Sequence, residues 1–176
     1  MTEYLPTHQV FVPFDLKAPQ PETEQLVALV DEANRAGFTI RVAIVWSRYD
    51  LGAVPELWHM PRRFARYVGA DIRAAYKSRL LIVFPDGFGF SWAGHSPATE
   101  DAVLAKIHVA HGPAGLVRST RTAVKLLAAA SGVELGAPAS TKQDSRSRDR
   151  LVIALAALGA AALAVLLRLA LRRRRR

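Results

Sequence analysis

The segment Leu151–Leu171 reads LVIALAALGAAALAVLL, then a single Arg168, then Leu169-Ala170-Leu171, and five arginines follow, Arg172 to Arg176. A bilayer's hydrocarbon core is about 30 Å thick and takes roughly 20 apolar residues in helix. The run is long enough to cross if Arg168 snorkels towards the head groups. The expectation is one C-terminal transmembrane helix over 151–171 with a polybasic tail over 172–176, which makes the membrane bilayer a partner. Whatever folds in water is to be sought upstream.

The formal charge of +9 suggests a nucleic-acid binder until it is divided along the chain. Residues 1–140 hold 14 Lys+Arg against 13 Asp+Glu, whereas residues 141–176 hold 10 against 2. A phosphate-binding surface needs its cations on the folded domain, and the excess is not there. No nucleic-acid partner is expected. Basic groups beside an anchor mark the cytoplasmic side or attract anionic lipid heads. The chain has no cysteine, which removes disulfides, thiol nucleophiles and thiolate metal sites.

MTEYLPTHQV has neither a basic n-region nor an apolar h-region, so the sequence opens without the pattern of a signal peptide. Two topologies compete. Six arginines from Arg168 onward lie on one side of the apolar run; Lys142, Arg146, Arg148 and Arg150, diluted by Asp144 and Asp149, lie on the other. The bias favours a cytoplasmic tail and an extracytoplasmic domain. The alternative is a cytoplasmic, tail-anchored adaptor.

Residues 1–137 suffice for one domain with one core. Gln9–Phe14 predicts a first strand, at an edge because Pro13 cannot donate to a ladder. A helix follows from Pro21 to a stop at Gly37, with Leu26, Val27, Leu29, Val30 and Ala33 as its apolar stripe. Phe38–Trp46 predicts a strand apolar on both faces, Ile40, Val42, Ile44 and Trp46 on one and Ala43 and Val45 on the other. Arg48–Gly52 reads as loop and Pro55–Trp58 as a short helical turn. Pro61 opens a helix to about Tyr76, carried by Phe64, Val68 and Ile72. Arg79–Phe84 is a third strand, Pro85-Asp86-Gly87 a turn, and Phe88–Trp92 an antiparallel fourth strand. A helix capped by Thr99-Glu-Asp runs to about His111, Gly112–Gly115 separates it from a last helix over Leu116–Ser131, and 138–150 is a polar linker. The order βαβαββαα predicts an α/β sandwich of three layers, with a mostly parallel sheet of about four strands and right-handed crossovers.

Asp15, Asp50 and Asp86 each follow a predicted strand. Ligands of open α/β sheets collect beyond the carboxyl ends of parallel strands, and converging carboxylates there would hold Mg²⁺ or Ca²⁺. The competing use of such aspartates is in turns and helix caps. Asp50 and Asp86 form the stronger pair, since they follow the two strands expected at the centre. His95, His108 and His111 lack the glutamate of a zincin pattern; His108 and His111 would share a helical face. Ser91, Ser96 and Ser131 lie outside any Gly-x-Ser-x-Gly elbow, and Gly87-Phe-Gly89 lacks the third glycine of a dinucleotide loop. Arg62, Arg63 and Arg66, and Arg118, Arg121 and Lys125, read as the wet faces of two helices. Trp92 reads as packing under the last helices, or as a partner contact.

Phe38-Thr-Ile-Arg-Val-Ala-Ile-Val-Trp-Ser47 leading to Asp50-Leu-Gly52, then Pro61-Arg-Arg-Phe-Ala-Arg-Tyr67, then Lys77-Ser-Arg-Leu-Leu-Ile-Val-Phe-Pro-Asp-Gly-Phe-Gly89, with Phe11-Val-Pro ahead of the first helix, resembles the TPM domain family, and more closely its membrane-anchored members in actinobacteria. The resemblance covers roughly residues 8–132 and lies in order and spacing rather than in one motif. It implies a Rossmann-like domain held outside the cytoplasmic membrane, serving as an accessory or repair factor for membrane complexes. Acid phosphatase activity and divalent-cation binding are attributed to some members, which would place an ion at the loops of Asp50 and Asp86. The chain departs from the common pattern in its Phe84-Pro-Asp-Gly-Phe-Gly89 stretch and its few nearby acids, which weighs against a phosphatase. The expected function is a membrane-tethered, non-enzymatic accessory domain with a membrane-protein partner. The alternative is a divalent-metal-dependent phosphate-ester hydrolase.

Overall fold

A computed structural model describes residues 1–136. The expected linker, transmembrane helix and basic tail lie outside the described residues. Among the described residues no helix is long and apolar enough to cross a membrane.

Four strands form one mixed sheet in the order β1-β2-β3-β4: β1 (Val10–Phe11), β2 (Ile40–Ile44), β3 (Arg79–Phe84) and β4 (Gly87–Trp92). β1 pairs with β2 and β2 with β3 in parallel, and β3 pairs with β4 antiparallel, so the expected mostly parallel α/β sheet is present. Helices cover both faces: α1 (Gln20–Arg35), α2 (Pro61–Asp71), α3 (Ala98–Leu104) and α4 (Gly112–Ala130).

The period-two pattern of β2 sorts its side chains between two cores. Ile40, Val42 and Ile44 join Leu81, Val83, Phe88 and Phe90 beneath α1 and α4. Ala43 and Val45 join Leu80, Ile82 and Phe84 beneath Phe64, Ala65, Val68 and Ile72 of α2 and the turn after it. β3 lies between two neighbours and under helices on both sides, and its residues Leu80–Phe84 are buried throughout. The Phe64 and Phe84 rings meet edge to face at 5.7 Å, a geometry worth roughly 0.5–1.5 kcal/mol beyond the area buried.

One expectation fails in an informative way. β1, β2 and β3 step across the sheet in one direction, so two right-handed crossovers would put α1 and α2 on the same face. They lie on opposite faces. One of the two crossovers is therefore left-handed, against a rule that holds in roughly 98% of cases. The rule draws on strand twist, and β1 is only two residues long.

Other boundaries move for local reasons. β1 stops at Phe11, and Phe14–Leu16 makes a 3-10 turn. Arg48–Leu51, expected as loop, is also a 3-10 turn. α2 ends at Asp71 and gives way to a 3-10 turn over Ile72–Ala74. α3 closes at Leu104, well short of His111. The Gly112–Gly115 separator is instead the first turn of α4: Pro113 sits where a missing N–H costs nothing, and Gly115 approaches Ala110, whose carbonyl oxygen would lie 2.8 Å from an added Cβ. Val27 of the expected stripe is exposed. Arg118 and Arg121, expected to face water, reach across to Glu22 of α1 at 3.6 and 3.0 Å. Trp92 packs against the α1/α4 core, with the Arg79 guanidinium 4.1 Å over its ring. The same guanidinium lies 4.5 Å over Phe38, an aromatic stack that suits a delocalised cation.

The sharpest packing constraint is glycine at position 89. A Cβ there would lie 2.0 Å from the Pro61 carbonyl oxygen and 2.9 Å from the Ala65 Cβ. The first turn of α2 thus rests on bare backbone. Gly89→Ala is expected to lower the unfolding free energy by ~3 kcal/mol in chemical denaturation, because the obstruction is backbone and cannot rotate away. Gly87→Ala, whose Cβ meets only the Pro61 Cγ at 3.5 Å, serves as the mild control.

Tyr76 supplies a pH signature. Its hydroxyl donates to the Arg79 carbonyl at 2.9 Å, and its ring lies under the Arg41 guanidinium. Burial pushes the phenol up from 10.0 to about 12, more than the neighbouring Ser78 hydroxyl and the nearby arginines pull it down. Below pH 10 both folded and unfolded chains keep the proton and the contribution is complete. Between about 10 and about 12 only the unfolded chain releases it, so stability falls as pH rises through that window. Spectrophotometric titration is expected to show one of the four tyrosines ionising late, and Tyr76→Phe to remove that step.

Candidate functional site

The three aspartates go to different tasks. Asp15 is exposed in the Phe14–Leu16 turn. Asp50 is turned back on its own backbone: Oδ2 accepts from the amides of Trp46 at 2.8 Å and Ser47 at 2.9 Å, while its own amide donates to the Ser47 carbonyl at 3.1 Å. Ser47 and Asp50 form a capping box on the Arg48–Leu51 turn. Asp86 alone of the three lines a cavity. Among the described residues no group of three or more His, Cys, Asp or Glu side chains is placed to hold a metal ion, so the three do not converge as an Mg²⁺ or Ca²⁺ set.

The cavity, about 870 Å³, opens beyond the carboxyl end of β3. That is the edge where ligands of α/β sheets collect, and the volume is that of a small-molecule site. Its floor is the β3–β4 hairpin, where Pro85 presets the turn and Asp86 follows it. One wall is the entry to α2, His59 to Arg63. The opposite wall is the end of α3 and the non-helical stretch after it, with Leu104, Ile107, His108, Val109 and His111. Arg62 Nε reaches Asp101 Oδ2 of α3 at 3.5 Å and ties the walls together.

His59 is the residue that the sequence did not reveal. Its backbone is left-handed, with φ 64°, a conformation that costs a non-glycine residue about 1–2 kcal/mol. The neighbours hold it there. Trp58 packs on Phe84 at 5.5 Å, and His59 Nδ1 meets Asp86 Oδ2 at 2.7 Å. A carboxylate on Nδ1 fixes the ring's orientation and favours the tautomer with its proton on that nitrogen, which leaves Nε2 available as the working atom. The pair joins positions 59 and 86, and no motif spacing announces it; the legible clue is Pro61, which marks a helix entry where a preceding residue can take an unusual backbone.

His108 and His111 do not share a helical face, since α3 has already ended, yet both reach the cavity. His95 lies elsewhere, stacked on Trp92 at 3.7 Å. The Gly87-Phe-Gly89 stretch is a seat for α2, with no phosphate loop around it.

Compared with protein-family models, curated proteins and solved structures, the chain matches none. The site therefore rests on its own geometry. Asp50→Ala is expected to destabilise the fold by about 1–2 kcal/mol, the value of a lost cap. Thermal unfolding followed with and without millimolar Mg²⁺ or Ca²⁺ is expected to show the same loss in both, as for a capping carboxylate.

Proposed function

We propose that this chain is a membrane-tethered α/β accessory domain, Rossmann-like and of the TPM type, that works by binding rather than by metal-dependent catalysis. The observation that carries the reading is the pairing of a domain core drawn from residues within 1–136 with the apolar, arginine-capped run Leu151–Leu171 in the same chain. The arginine bias supports an extracytoplasmic domain and a cytoplasmic tail. A tether raises effective concentration near membrane partners, so modest contacts suffice. The cavity beyond β3 supplies a binding face. The alternative, a divalent-metal phosphate-ester hydrolase, would rest on Asp86 alone of the three aspartates, since Asp50 is spent as a cap.

One preparation tests both. In cells, a reporter active only outside the cytoplasm is expected to score when fused to the N-terminus, and the full chain to sediment with membranes after lysis without detergent. Cross-linking in place is expected to recover a membrane protein. The purified chain is expected to leave a generic phosphate ester at its buffer rate with Mg²⁺ or Ca²⁺. A full chain that stays in the soluble fraction overturns the tether; turnover abolished by Asp86→Ala overturns the non-enzymatic reading.

A further inference from the structure

The cavity's two carboxylates are both engaged, Asp86 with His59 at 2.7 Å and Asp101 with Arg62 at 3.5 Å. The walls also carry donors that neither carboxylate engages. Arg63 carries five N–H groups, and its one side-chain polar contact among the described residues is a 3.8 Å approach to the Met60 sulfur. His108 and His111 add two imidazoles with no carboxylate partner among the described residues. The two arginines and the two aspartates cancel in formal charge. The remaining lining is apolar, Leu104, Ile107 and Val109 on one wall and Phe88 beneath. A site whose free guanidinium donors stand beside greasy walls suits an anion carried on an apolar body.

We infer that this cavity binds a small organic anion, its carboxylate or phosphate head against the Arg63 guanidinium and its apolar body along the α3 wall. The inference goes beyond the tethering reading and stands without it, because residues 59–111 alone form the site. The charged and imidazole side chains that line the cavity are His59, Arg62 and Arg63 from the α2 entry, Asp86 from the hairpin, Asp101 from α3, and His108 and His111 from the stretch beyond it.

The test is ligand-observed saturation-transfer NMR on the full chain in neutral-lipid nanodiscs, with empty nanodiscs subtracted. Benzoate and phenyl phosphate are the anionic probes, and benzyl alcohol is the neutral one. Both anions are expected to bind saturably, with the alcohol at least ~10-fold weaker, as a charge-assisted contact requires. Arg63→Glu, at an exposed position, is expected to weaken the anions at least ~10-fold, and Asp101→Asn, which frees Arg62, to tighten them about 3-fold. A gain of affinity is something that a merely structural lesion would not produce. Equal binding of alcohol and anions, affinity unchanged in Arg63→Glu, or chain responses seen only in nanodiscs made with anionic lipid would each overturn the site. Membrane sedimentation of the same preparation reports on the tether separately.

Discussion

The first turn of α2 lies directly on the backbone of β4, and the geometry of the cavity follows from that contact. Gly89 leaves no side chain between strand and helix, so the Pro61 carbonyl can approach where any Cβ would collide. The approach sets the height of α2 above the sheet. It also sets where Trp58, His59 and Met60 must turn to enter the helix. His59 takes a left-handed backbone to make that turn, and Asp86, at the tip of the hairpin that β4 opens, stands within 2.7 Å of its ring. One missing methyl group thus couples a packing distance to a polar pair on the cavity wall.

Much of the fold was readable because the apolar periodicities were unambiguous. β2 alternates between two cores, β3 is apolar at every position, and Phe64, Val68 and Ile72 recur every four residues. The antiparallel return of β4 was legible from Pro85-Asp86-Gly87, because proline and aspartate fit the two loop positions. What escaped depends on long-range geometry. The opposite hands of the two crossovers follow from which face each helix chooses, and strand order alone does not carry that. Gly112–Gly115 looked like a break, and only the close approach of Gly115 to Ala110 shows why a helix begins there. Arg118 and Arg121 looked like a wet face until Glu22 of α1, about a hundred residues away in sequence, was seen to meet them.

The candidate site shows the same division. Three aspartates after three strands have the arrangement of a cation site, yet local chemistry claims one of them first. Asp50 lies three residues beyond Ser47, the spacing of a capping box, and backbone amides take its oxygen. Asp86 lies just past the carboxyl end of β3, and its partner is an imidazole from the α2 entry rather than a second carboxylate. His108 and His111 reach the cavity although the helix that was to align them ends early. Asp86, His108 and His111 are visible singly in the sequence, His59 is not, and the company they keep is set by how α2 and the stretch after α3 close over the hairpin.

The two walls differ in what holds them. The first turn of α2 sits on main chain, and at that point no side chain stands between helix and strand to rearrange. From Ala105 to Val109 the opposite wall has no regular secondary structure. Were the cavity to take guests of unequal girth, the second side would be the one free of a backbone-to-backbone seat, much as a vice has one fixed jaw and one travelling jaw.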